Sequence, residues 1–192
     1  MHTDKLTVAN PPKRKALAMV EYASVAAGFT ALDVITKTAE VEILSARPIC
    51  PGKYMILFCG GLSAVNASLE AARRVPGIID EFVLGSPHPG IFKALGGDFS
   101  LNKKTPLGLV EAFSGAAAIK AADTAAKTAW VHLAEIHIAH GMCGKSTVLL
   151  TGELAAVAAA LEAVQKDAAE KIVGTALIPN PDAKMLEAIK NK

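Results

Sequence analysis

Residues 17–41 read LAMVEYASVAAGFTALDVITKTAEV, and residues 107–131 read LGLVEAFSGAAAIKAADTAAKTAWV. At a constant offset of 90 the two stretches share 12 identities in 25 positions, which marks an internal duplication. Farther along, the offset becomes 92. Lys53 then pairs with Lys145, Gly60-x-Leu62-x-Ala64-Val65 with Gly152-x-Leu154-x-Ala156-Val157, and Pro87-His88-Pro89 with Pro179-Asn180-Pro181. Two residues are therefore added in the second copy between Val131 and Lys145, opposite the first copy's run from Val41 to Lys53.

Each copy carries the same succession of patterns. A short apolar strand (Ala16 to Tyr22; Leu107 to Phe113) leads into a helix with Ser24 or Ser114 where an N-cap belongs. In the first helix Val25, Phe29, Leu32 and Ile35 recur at helical spacing as one apolar stripe. Two strands joined by a glycine-containing turn follow, Val41 to Ile49 with Lys53 to Phe58, and Val131 to Ala139 with Ser146 to Thr151. A second helix, Leu62 to Ala72 or Leu154 to Glu170, comes next, and in the latter Leu154, Val157, Leu161 and Val164 share a face. A strand and a proline turn close the half. The order β-α-β-β-α-β is ferredoxin-like, so the expected fold class is α/β (α+β) in two tandem copies. The expected layout is a flexible extension over 1–15, a first domain over 16–96, a polar linker over 97–106 and a second domain over 107–192.

The totals limit the function. Of 192 residues 52% are apolar and 20% charged, enough to build packed cores. Aromatics are only 5%, and alanine takes their place, which suits close helix and subunit packing. The net charge of +2 comes from 20 basic and 18 acidic residues spread evenly, so no footprint for nucleic acid emerges. Lys13-Arg14-Lys15 ends a polar lead without the apolar run of a signal peptide or membrane anchor. No window approaches the ~18 apolar residues of a membrane-spanning helix. Cys50, Cys59 and Cys143 form no C-x-x-C pair, which points to a reducing cytoplasm rather than a disulfide framework.

With these motifs in place the chain resembles a known family. L-x-x-V-E, A-x-D-x-x-x-K-T-A, C-P-G-K or C-G-K at the hairpin turn, and P-x-P near the end are similar to the bacterial microcompartment shell-protein domain. Two copies in one chain resemble the tandem-domain shell proteins, over residues 16 to 190. The resemblance implies a homotrimer forming a flat pseudohexameric tile, joined edge to edge with other shell proteins in a cytoplasmic microcompartment. It also implies a central pore for small metabolites. The family's pore loop falls on Ile49, Cys50, Pro51, Gly52 and Lys53, and on His140, Gly141, Met142, Cys143 and Gly144, up to Lys145. Its edge lysine matches Lys37 and Lys127. Where an arginine usually accompanies that lysine, this chain has His88 and Asn180.

More narrowly, Ile49 to Lys53 is similar to the pore segment of tandem shell proteins from propanediol-utilising compartments. That resemblance implies one [4Fe-4S] cluster per trimer, held by Cys50 from each of three chains, with one iron left open. The plainer reading of Cys50 is an incidental small loop residue, and Cys143 is an alternative ligand. Cys59, in an apolar run, reads as a small buried hydrophobe.

Other constellations yield to plainer readings. His132, His137 and His140 crowd one strand, but simple alternation puts His137 on the face opposite the other two, against a shared metal ion. Ala139-x4-Gly144-Lys145-Ser146 satisfies a relaxed phosphate-loop pattern, yet Thr147 to Gly152 reads as a strand where a phosphate cradle needs a helix. Asp33 with Lys37 and Asp123 with Lys127 are surface ion pairs at i, i+4. Glu21 and Glu111 read as structural hydrogen-bonding groups. No carboxylate pair or Ser-His-Asp order emerges, so no enzyme is expected. The expected function is a structural shell tile with a pore that passes small molecules or holds a cluster. An electron carrier built on the iron-sulfur centre is the alternative, and a signalling trimer of ferredoxin-like fold is a third.

Overall fold

The computed structural model describes residues 16–96, 105–139 and 141–190. The expected extension over 1–15, most of the expected linker (97–104) and the pore candidate His140 lie outside the described residues. By internal contacts the chain forms two compact bodies. Within the described residues, the first holds 16–87 with the loop Ala139–Gly144, and the second holds His88–Ile138 with the run from Lys145 onward.

In the first body β1 (Ala16–Tyr22), α1 (Val25–Thr38), β2 (Glu42–Ile49), β3 (Lys53–Gly60), α2 (Leu62–Ala72) and β4 (Ile78–Leu84) follow one another. The strands form one antiparallel sheet in the order β2-β3-β1-β4. The even-numbered side chains Ala18, Val20 and Tyr22 of β1 and Ile56 and Phe58 of β3 lie on one face, because strand side chains alternate. They pack against Ala31 and Ile35 of α1 and Val65 and Leu69 of α2. The Tyr22 hydroxyl donates to the carbonyl oxygen of Ala72 at 2.7 Å, tying β1 to the end of α2. Burial pushes that phenol up to about 12, and the nearby Glu81 carboxylate adds to the shift. The Arg73 guanidinium is held above its usual range chiefly by its hydrogen bond to Glu81.

Ser24 caps α1 as expected, its hydroxyl accepting the Ala27 N–H at 3.1 Å. The apolar stripe is rotated from the expected one. Helix α1 buries Gly28, Ala31 and Ile35, while Phe29 is 61% exposed. The cause is Tyr54, whose ring occupies the space a Cβ on Gly28 would need, so the helix turns its glycine toward the sheet. Phe29 then meets the Tyr54 ring at the rim, with centroids 5.3 Å apart.

The second body contains α3 (Gly90–Leu95), β5 (Leu107–Ala112), α4 (Gly115–Thr128), β6 (Val131–Ile138), β7 (Ser146–Gly152), α5 (Leu154–Ala168), β8 (Ile172–Ile178) and α6 (Ala183–Lys190). Its sheet order, β6-β7-β5-β8, repeats that of the first. Ser114 caps α4, accepting the Ala117 N–H at 3.0 Å. Val157, Leu161 and Val164 of α5 are buried as expected, and Leu154 at its first turn is 45% exposed. Gly108 on β5 leaves room for α5: a Cβ there would stand 2.6 Å from Leu150 and 2.8 Å from Val157.

Two helices are absent from the sequence reading. Helix α3 follows Pro89 and packs on β6 and α4, burying Ile91 and Phe92. Helix α6 sets Leu186 against Leu107 and Leu149, on the sheet face away from Gly108 and Val157. With six and eight residues, these helices span too few turns to display a helical period.

Candidate functional site

The hairpin tips carry the residues that the sequence singles out. In the first body β2 and β3 pair down to Ile49 opposite Lys53, leaving Cys50, Pro51 and Gly52 as the turn. Ile49 is buried and anchors the tip, whereas Cys50, Pro51 and Gly52 are exposed and Lys53 is half-buried. Gly52 adopts φ +77°, a left-handed conformation that glycine takes without a Cβ penalty.

The longer loop between β6 and β7 absorbs the two-residue insertion. Its described residues, Ala139 and Gly141 to Gly144, belong to the first body, although both flanking strands belong to the second. The loop bends through left-handed φ values at Ala139 (53°), Gly141 (68°), Cys143 (51°) and Gly144 (89°). Gly144 is buried directly against the first hairpin tip. A Cβ placed on it would lie 2.9 Å from the Cys50 carbonyl oxygen and 3.3 Å from Lys53 Nζ. The two loops read separately from the sequence thus meet within one body, each presenting an exposed thiol, Cys50 and Cys143. Cys59 is buried on β3, as its apolar neighbours indicate, 3.8 Å from a Glu42 carboxylate oxygen.

The strand carboxylates are structural. Glu21 is fully buried and engaged, and Glu111 accepts Lys145 Nζ at 2.9 Å. The residues after Gly144-Lys145 continue as β7, so no helix N-terminus stands where a phosphate loop would need one.

The histidine reading is corrected. A bulge at Ala134 shifts the β6–β7 register, so His132 faces Thr151 and His137 faces Thr147 across the ladder. Thr147 and Thr151 are four residues apart on a regular strand, which puts His132 and His137 on the same face. The first copy has the same irregularity between Ile43 and Ser45. Among the described residues no group of three or more His, Cys, Asp or Glu side chains is placed to hold a metal ion.

The lysines matched to the family's edge differ in their setting. Lys37 pairs with Asp33 at 2.7 Å, with the two side chains 74% and 60% exposed. Lys127 pairs with Asp123 at 2.5 Å, but the Asp123 side chain is only 8% exposed. Its other oxygen accepts the backbone N–H of His88 at 2.8 Å. His88 Nδ1 in turn accepts the Gly90 N–H at 3.2 Å, at the start of α3. His88 therefore joins the Asp123–Lys127 pair within the second body, while Asn180 stands exposed beyond β8.

Comparison with known proteins agrees with this architecture. The BMC domain matches twice, over residues 16–87 and 106–181. The chain is 33% identical over 175 residues to the bacterial microcompartment shell protein PduT of Citrobacter freundii, covering 89% of this chain and 95% of that protein. A carboxysome shell protein, CsoS1 of Prochlorococcus marinus, is 30% identical over 102 residues, which is 50% of this chain and 99% of that protein, the length of a single copy. Among solved structures, a microcompartment protein from Desulfitobacterium hafniense DCB superposes with a TM-score of 0.81 at 38% identity, covering 94% of this chain and all (100%) of that one. Two repeats of one sheet order, two matches of one domain model and a relative aligned along nearly the whole chain lead to one conclusion: this chain belongs to the BMC-domain family, as a tandem-domain structural shell protein of a bacterial microcompartment.

Proposed function

We propose that three copies of this shell protein close into a pseudohexameric tile whose pore is lined by the hairpin tips Cys50–Lys53 and Gly141–Gly144, and that Cys50 from each copy holds a [4Fe-4S] cluster on the three-fold axis. The observation that carries this reading is the packing of Gly144 against the Cys50 carbonyl oxygen, which gathers both tips and two exposed thiols into one loop cluster. The donor chemistry fits the group. A thiolate is the usual ligand of an iron-sulfur cluster, and a lone cysteine at a hairpin tip supplies one ligand per chain, so three-fold symmetry is what brings a set together. When bound, the cluster would supply one-electron redox chemistry and an open iron. The chain's own residues hold the thiols: buried Ile49 anchors the first tip, and buried Gly144 fixes the second against it. Lys37 and Lys127 are the proposed contacts to neighbouring shell tiles.

The test is iron and acid-labile sulfide content, with electron paramagnetic resonance, on protein purified without oxygen, together with its sedimentation mass. A trimer with about four irons, lost in Cys50→Ala and retained in Cys143→Ala, is the expected result. Loss only in Cys143→Ala would move the ligand to the second tip. A trimer without iron in any form would leave a thiol-lined pore for small molecules, and a monomer would overturn the tile.

A further inference from the structure

Lys53 stands in the loop cluster with a charge that the tile reading leaves unused. It opens β3 opposite Ile49 and is half-buried. A Cβ placed on Gly144 would lie 3.3 Å from Lys53 Nζ, 3.7 Å from Lys53 Cε and 2.9 Å from the Cys50 carbonyl oxygen. The ammonium therefore lies where the two turns that carry the exposed thiols Cys50 and Cys143 meet. The duplicate lysine is placed differently. Lys145 pairs with Glu111 at 2.9 Å, whereas Lys53 forms no ion pair among the described residues, and Glu21, the first copy's counterpart of Glu111, is fully buried. A partly buried ammonium without a counter-ion carries a desolvation cost that an adjacent anion offsets. One copy's lysine is thus neutralised within its own sheet, and the other's is open to an anion that forms at the loop cluster.

We infer that Lys53 is the charge-compensating group of the thiol site: one ammonium from each copy offsets the negative charge gathered at the cysteines, and together they raise the reduction potential of the cluster held there. The inference rests on the cluster reading and deepens it by naming the residue that tunes the site. Each cysteine binds a metal as a thiolate anion, and reduction adds one more negative charge to the same place. A fixed cation favours the more negative of two states, as it favours the ionised form of a carboxylate. A site partly screened from water transmits that preference more strongly than bulk solvent does. Net charge is among the properties that set cluster potentials, and symmetry multiplies one lysine into three. Lys53 touches no reacting atom in this role; it acts through the field it places on the thiolates.

The test uses the full chain, loaded with ferrous iron and sulfide without oxygen, and reads iron content and a potentiometric titration followed by electron paramagnetic resonance. Lys53→Met keeps the aliphatic stem and removes the charge, and Lys53→Arg keeps the charge. Both should hold the parent's mass and circular dichroism. In Lys53→Met the midpoint should fall until the oxidised-to-reduced ratio at a fixed potential is about tenfold higher, a shift of about 59 mV for a one-electron couple. In Lys53→Arg that ratio should stay within about twofold of the parent. Iron lost from Lys53→Met but kept in Lys53→Arg would support the inference as well, by making the charge a condition of holding the cluster. An unchanged midpoint in a fully loaded Lys53→Met would overturn the inference and leave the cluster standing. Equal shifts, or equal loss of iron, in the Met and Arg variants would overturn it too, because the shape of the side chain and not its charge would then be at work. A parent chain that takes up no iron would remove the cluster reading and this inference together.

Discussion

Gly144 lies against the carbonyl oxygen of Cys50, so closely that a Cβ placed on it would stand 2.9 Å away. The contact links the tip of one hairpin to the loop of its duplicate, and two independent features specify it as glycine. The position is buried, and its φ is +89°.

Gly144→Ala therefore carries a left-handed backbone penalty of about 1–2 kcal/mol on top of the clash with Cys50. The expected outcome is a local loss: Cys143 and Cys50 become more reactive toward a thiol reagent, and the thermal midpoint falls by a few degrees. Gly141→Ala, also at positive φ but with nothing within 4 Å, should leave Cys50 reactivity unchanged. Equal effects from the two variants would show that strain alone, and not the loop contact, is at work.

Alkaline titration should expose Tyr22. Its folded pKa is raised from 10.0 to about 12 by burial, with Glu81 adding to it, so the neutral phenol is the form the fold prefers. The associated stability is fully present below pH 10, falls as pH rises from about 10 to about 12, and amounts to about 2–3 kcal/mol. Tyr22→Phe removes this dependence together with the hydroxyl's bond to the Ala72 carbonyl, which still accepts the Val75 N–H at 2.9 Å, so the cost at neutral pH is about 0.5–1.5 kcal/mol. Urea denaturation at pH 7 and pH 11 checks both signs.

The two i, i+4 ion pairs should behave differently despite identical sequence spacing. Asp33→Ala removes an exposed pair and should cost less than about 0.5 kcal/mol. Asp123→Ala strips a buried carboxylate from both Lys127 and the His88 N–H, so a loss of about 1–3 kcal/mol is expected. Denaturant midpoints of the two variants side by side decide the matter, and equal losses would mean that the His88 contact contributes nothing.

Gly28 and Tyr54 form a small-large pair, while their counterparts in the second copy are Ala118 and Ser146, both buried. Gly28→Ala places a methyl in the Tyr54 ring and should cost about 1–3 kcal/mol. In a Tyr54→Ser background the same change should cost at least about 1 kcal/mol less, a coupling that a double-mutant cycle reads directly.

The short helices α3 and α6 were not legible in the sequence, whereas the duplication, the order of the strands and of the two long helices in each copy, both serine caps, the strand character after Gly144-Lys145 and the family were. All of them are local or periodic: a repeat is visible as identity at a fixed offset, and a cap or strand is specified by neighbours a few residues away. Tertiary packing decided the rest. Phe29 turned outward because Tyr54, distant in sequence, takes the space over Gly28. His132 and His137 share a face because a bulge at Ala134 resets the alternation, and nothing local announces a bulge. Asp123 became a buried anchor while Asp33 stayed at the surface because the backbone of His88, 35 residues away in sequence, reaches the former. The meeting of Gly144 with Cys50 likewise joins residues of different copies. Sequence by itself determined what each segment could become; which side chains meet was settled by contacts between segments far apart in the chain, where close packing admits one arrangement and local propensity is silent.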